Sequence, residues 1–215
     1  MKIRYLGHSC FQLTAKDGTC VLTDPYTKVG YELPAGLWAD VVTVSHEHFD
    51  HNYTQAVRSG VVITQTGEYH FNGVKIKGID SWHDEKQGVL RGANIIYKIR
   101  MDGVTICHLG DLGQPCSEEL LQKIGDVDVL LLPVGGTYTI DAAGAKAYAD
   151  GIAPKKLIPM HYKPTDGMLD IMSAEPFLML YKEEDILCVP SGEIAVEAED
   201  LDKAFKIIYM ERRKS

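Results

Sequence analysis

Between positions 46 and 51 the chain places three histidines and an aspartate within six residues, His46-Glu47-His48-Phe49-Asp50-His51, directly behind the apolar, β-branched run Val41-Val42-Thr43-Val44. No other segment limits so strongly what the chain can fold into, since several imidazoles delivered at one strand end demand a site where they can reach a metal. On extended chain His46 and His48 project to the same face and can share one ion. Asp50 and His51, where the chain turns, can face a second. Nitrogen and carboxylate donors together suit zinc, with manganese or iron as alternatives, so two divalent metal ions, zinc first, are the expected cofactors. A histidine-rich surface loop is the competing explanation, and it has to account for all four side chains at once. Glu47 should point away from its neighbours and take a packing or hydrogen-bonding role.

Around this segment the first half of the chain reads as short strands: Ile3 to Leu6, Ser9 to Ala15, Cys20 to Thr23, Val61 to Gln65, Val74 to Ile79, Ile95 to Arg100 and Val104 to Leu109. Asp17-Gly18 and Asp102-Gly103 supply hairpin turns. The second half alternates strand and helix. Ser117 caps a helix through Ile124, Val127 to Val134 is a strand, Asp141 to Ala149 is helical, Leu157 to Met160 is a strand, and Ser173 starts a helix with Pro176 in its first turn. The expected class is therefore α/β, with two sheets enclosed by helices. One domain suffices for 215 residues. Its body covers 1–198, with 199–215 an extension of the same domain. In that tail Leu201, Ala204, Phe205 and Ile208 have helical spacing, so a helix is favoured over a strand at Ile207-Ile208-Tyr209.

Thirty acidic against 22 basic residues give a formal charge of −8, which disfavours nucleic acid as a partner. No run reaches the roughly 18 apolar residues of a membrane helix, and the N-terminus lacks a secretory apolar region, so a cytoplasmic protein without membrane partners is expected. The five scattered cysteines are read as reduced thiols. Arg212-Arg213-Lys214 is read as a solvated, mobile end. The partner implied is a small-molecule substrate, and a homo-oligomer is left open.

Other residues carry weaker local signals. Asp24 either hydrogen-bonds a metal-bound imidazole from behind or simply forms an Asp-Pro turn. His83 by itself reads as a surface histidine, and His161, after Leu157-Ile158-Pro159-Met160, as a loop histidine or a group delivered to a cleft. On the strand ending near Asp111, Cys107, Leu109 and Asp111 share a face while His108 points the other way, so His108 is assigned to structure, as are His8 and His70. Gly135-Gly136 either exposes backbone N–H groups to an anion or marks a tight turn.

The segment 46–51 matches letter for letter the His-x-His-x-Asp-His signature of the metallo-β-lactamase superfamily, which the chain resembles from about Met1 to Ala198. Asp24, His83, Asp111 and His161 follow in the family's order. More narrowly, Gly7-His8-Ser9, His83-Asp84, Arg91-Gly92, Asn94, His108 to Gly113 and Pro133 to Gly136 resemble a group of metal-dependent hydrolases whose substrates are largely unassigned. The resemblance implies a four-layer αββα sandwich of two mixed β-sheets flanked by helices. It implies that His46, His48 and His83 hold one metal, that Asp50, His51 and His161 hold another, and that Asp111 bridges them. Asp24 is then expected to support the ligands, and beside this set Arg91, Gly136 and Tyr138 are candidate substrate contacts. The expected activity is hydrolysis of a small phosphodiester, lactone or other ester by a metal-activated water that Asp50 orients. No G-x-S-x-G nucleophile elbow competes with that chemistry. A metal-stabilised metabolite-binding or regulatory module without turnover is the alternative.

Overall fold

Alternation of apolar residues sends neighbouring side chains of the early strands into two different cores, and this shapes everything built on them. The computed structural model describes residues 1–202 and 206–213. In chain order the strands and helices are β1 (Lys2–Gly7), β2 (Cys10–Thr14), β3 (Cys20–Thr23), β4 (Trp38–Thr43), β5 (Arg58–Ile63), β6 (Gly67–Phe71), β7 (Val74–Trp82), β8 (Ala93–Met101), β9 (Val104–His108), α1 (Glu118–Ile124), β10 (Val129–Pro133), α2 (Ala142–Ile152), β11 (Lys156–Met160), α3 (Glu175–Leu178), β12 (Ile186–Val189), β13 (Glu193–Ala195) and β14 (Ile207–Met210).

They form two mixed sheets, ordered β13-β1-β2-β3-β4-β5 and β12-β14-β11-β10-β9-β8-β7-β6. Val21 and Val41 face the large core shared with the second sheet, whereas Leu22 and Val42 face a smaller cluster closed by Tyr26, Val29 and Leu37. An irregular segment thus covers much of the outer face of the six-stranded sheet. On the other side α1 packs on β7 and α2 on β10, with α2 touching both other helices. The caps are local: Ser117 accepts the N–H of Leu120, and Asp141 that of Gly144. No helix of the described residues is long and apolar enough to cross a membrane.

Two expectations about the tail do not hold. Ile207–Met210 is a strand, inserted in parallel between β11 and β12. Ile207, Ile208 and Met210 are buried there, so ladder bonds and burial on both sides of the strand override local helical spacing. Ala204 and Phe205 lie outside the described residues. Arg212 is not a solvated end either: its guanidinium pairs with Asp166 at 2.6 Å and lies 4.1 Å over the Tyr31 ring.

Candidate metal centre

Direction of the strands explains which residues meet. Two antiparallel steps return β3 to the direction of β1, and β3 and β4 are parallel. In the second sheet β7, β9, β10 and β11 likewise share one direction. The carboxyl ends of these strands lead into His8, Asp24, Ser45 to His51, His83, Asp111, Gly135 and His161. Tight turns follow there, with positive φ at His8 (53°), Asp24 (39°) and His161 (50°), a region sparsely populated by residues other than glycine. Glycine is required at two neighbouring points. A Cβ on Gly110, at φ +58°, would fall 2.3 Å from Asn94 Oδ1, the atom that receives the Asp111 N–H. One on Gly135 would fall 2.2 Å from the carbonyl of His161.

Residues 46–51 are not extended, which corrects the same-face argument for His46 and His48. Strand β4 ends at Thr43, and His51 and Asn52 both donate their N–H to the carbonyl of His48, coiling the chain. The coil still brings the His46 and His48 rings to 4.6 Å between centroids. Glu47 accepts from Asn52 Nδ2.

Ligand-type atoms of His46, His48 and His83 lie within 4.8 Å of one another, as do those of His8, Asp50, His51 and His161, and those of His46, His51 and Asp111. Asp111 is central: its carboxylate oxygens stand 3.1 Å from His51 Nε2, 3.1 Å from His161 Nε2, 3.3 Å from His83 Nε2 and 3.8 Å from His46 Nε2. His8 is the member that sequence reasoning assigned to structure. Its Nε2 lies 3.2 Å from Asp50 Oδ2, and its backbone is clamped by Tyr31 Oη, which accepts its N–H, and by His161 N–H, which its carbonyl accepts. By contrast His108 turns between the sheets, Nε2 2.8 Å from the carbonyl of Ser9. His70 is an exposed residue of β6.

Hydrogen bonds behind the imidazoles assign their protons. Asp24 Oδ1 accepts from Ser45 N (2.8 Å), and its Oδ2 accepts from Ser45 Oγ (2.6 Å) and His51 Nδ1 (2.8 Å). Ser45 Oγ, having given its only proton, accepts from His46 Nδ1 at 2.9 Å. Both rings therefore carry hydrogen on Nδ1 and aim Nε2 at Asp111, in His46 as a lone pair and in His51 as the atom that takes a cation when one is bound and a proton when none is. His46 Nε2, His51 Nε2, His161 Nε2 and Asp111 Oδ1 are buried without a hydrogen-bond partner among the described residues. Acceptor facing acceptor in a buried cluster is costly unless a cation lies between them, so these residues fit divalent metal ions.

Without a cation, charge within the cluster compensates in its place. Burial alone would raise the Asp111 carboxyl, yet His161 and His51 hold it well below the usual carboxylate range. Burial would lower His51, but Asp111 and Asp24 raise it well above an ordinary histidine. Burial, reinforced by His51, keeps His46 well below its usual value. For His8, burial and then His161 lower the pKa to about 4. Between that value and the unfolded one near 6.5 the unfolded chain binds the additional proton, so acid destabilises the fold across this window. His51, shifted the other way, contributes fully below the unfolded value and offsets none of the loss. Chelator-stripped protein is therefore expected to lose roughly 3 kcal/mol through His8 alone as pH falls from about 6.5 to 4. Urea denaturation at a series of pH values measures it; stability that stays level across the window contradicts it.

Beside the cluster opens a cavity of about 450 Å³ lined by His48, Asp50, His83 and Asp111, and also by Arg91 and Tyr138. Gly136 does not line it. The carbonyl of Gly136 accepts the N–H of Tyr138 at 2.6 Å, which shapes the turn.

The chain belongs to the β-lactamase superfamily, whose domain model matches residues 2–161. A crystal structure from Thermotoga maritima, described as that of a Zn-dependent hydrolase of the metallo-β-lactamase superfamily, is 36% identical and superposes with a TM-score of 0.78 over 97% of each chain. Proteins named UPF0173 metal-dependent hydrolase are 31% identical in Carboxydothermus hydrogenoformans, over 75% of this chain and 84% of that one, and 31% identical in Methanosphaerula palustris, over 89% and 98%. With these relatives the chain is a metal-dependent hydrolase.

Proposed function

We propose that the centre is dinuclear, with His46, His48 and His83 holding one divalent cation, Asp50, His51 and His161 the other, and Asp111 between them. The observation that carries this reading is the convergence of buried, unpartnered Nε2 atoms of His46, His51 and His161 on one carboxylate. Bound there, a cation pair supplies a water acidic enough to attack at neutral pH and positive charge for the developing oxyanion. The chain's own residues do the rest. Asp24 and Ser45 fix the tautomers of His51 and His46. His8 holds one Asp50 oxygen, which orients the carboxylate beside the cavity. The substrate is a small phosphodiester, lactone or other ester in the cytoplasm, and zinc is the metal best suited to the donors.

Protein prepared without chelators is expected to contain two metal ions per chain, to cleave an activated aryl phosphodiester or ester, and to lose that turnover on stripping and regain it with zinc or manganese. Turnover that survives complete stripping contradicts the assignment. Metal-replete protein that is inert across phosphodiesters, lactones and esters, yet binds a metabolite tightly, selects the module without turnover.

A further inference from the structure

Arg91 is the only arginine or lysine among the residues lining the metal cavity, and its position is built with care. Next to His83, the buried carboxylate of Asp84 accepts four backbone N–H groups: Lys86 and Gly88 on Oδ1 at 2.8 and 2.9 Å, Leu90 and Arg91 on Oδ2 at 2.9 and 2.7 Å. The loop is thereby tied to the segment that carries His83. The guanidinium gives one hydrogen bond to the carbonyl of Thr137 at 3.2 Å and lies 5.7 Å over the ring of Tyr138. No carboxylate of the described residues pairs with it within 4 Å, although Glu47, Asp50 and Asp111 line the same cavity. Most of its five N–H donors remain available in a fixed fork, the geometry that receives an oxyanion.

Apolar side chains supply another part of the wall. Phe49, Tyr138 and Leu169 line the cavity, Phe49 at 51% and Tyr138 at 39% exposure, and Leu90 beside Arg91 is 53% exposed. Large apolar side chains gathered at the mouth of a polar site mark where an apolar ligand body is covered.

Resting on the hydrolase reading above, we infer that the substrate carries a carboxylate remote from its scissile group, joined to it by an apolar body, and that Arg91 selects for this carboxylate. The scissile group sits at the cations, the apolar body lies along Phe49, Tyr138 and Leu169, and the carboxylate meets Arg91. One planar guanidinium pairs with one carboxylate through two parallel N–H···O bonds, and this fit is the reason a carboxylate is the anion proposed.

The test uses metal-loaded protein and paired aryl esters of linear acids, ending either in a carboxylate or in a methyl group. Wild type is expected to favour the carboxylated member by about tenfold in kcat/KM, and Arg91→Met to bring the ratio to about one, with Arg91→Lys between. In parallel, calorimetry measures binding of the linear dicarboxylates and of their monocarboxylate counterparts. The dicarboxylate advantage of wild type is expected to shrink about tenfold in Arg91→Met. A ratio already near one in wild type, or one unchanged in Arg91→Met, overturns the inference. Phosphorylated partners preferred over carboxylated ones overturn the choice of anion. Should neither ester be cleaved, the ester branch of the proposed substrates is lost, and the binding ratio still decides the role of Arg91.

Discussion

Asp111→Ala is expected to lower metal-dependent turnover on the order of 10³-fold or more and to leave the purified protein short of metal, while its far-UV circular dichroism stays that of wild type. The size follows from position. One carboxylate faces the Nε2 atoms of His46, His51, His83 and His161 at 3.1 to 3.8 Å, and its removal takes away the negative charge around which four imidazoles are arranged. The fold survives because the apolar layers beneath, from Phe11 to Leu131, do not depend on it. Asp111→Asn separates charge from shape: a loss equal to that of alanine shows that the charge matters. Undiminished turnover in either variant refutes the central role of this residue.

Asp24→Asn is expected to weaken metal binding about 10–100-fold while costing the metal-free fold only about 1–3 kcal/mol. An amide keeps the shape of the carboxylate and its oxygen still accepts from Ser45 N. Its nitrogen, however, is then a donor aimed at His51 Nδ1 and Ser45 Oγ, where two donors already meet Oδ2. Relief requires the proton of His51 to move to Nε2, which removes the lone pair facing Asp111. Asp24→Ala acts differently. It leaves Ser45 N–H, Ser45 Oγ and His51 Nδ1 without their acceptor and places alanine at a φ of 39°, so about 3–5 kcal/mol of stability is lost. Zinc competition against a chromophoric chelator, with denaturation of the stripped protein, distinguishes the two. Wild-type zinc affinity in Asp24→Asn contradicts the tautomer argument.

Much of this centre is legible in the linear sequence because its residues follow apolar strands, where β-branched runs announce the strand and a histidine or aspartate ends it. That logic works for Asp24, for 46–51 and for His161. It fails for His8, which has no ligand-type neighbour at short spacing; only the two hairpins that return β3 to the direction of β1 bring it to Asp50. Parity brings His46 and His48 together by the wrong route, because hydrogen bonds to the carbonyl of His48 coil the chain, an effect no alternation pattern encodes. Local spacing misleads in the tail for a related reason. Ile207 and Ile208 gain their ladder partners from Leu157, Ile186 and Leu187, and Arg212 its carboxylate from Asp166, all far away in the chain. Nothing in the linear sequence marks Asp84 as an organiser of the Arg91 loop, because its four bonds go to backbone N–H groups that carry no side-chain signature.

The most direct measurement of the proposed centre is anomalous diffraction at the zinc or manganese edge from crystals of metal-loaded protein. Two peaks about 3.5–4 Å apart are expected, with Asp111 between them, His46, His48 and His83 around one, and Asp50, His51 and His161 around the other. A single peak, or metal bound away from Asp111, contradicts the account.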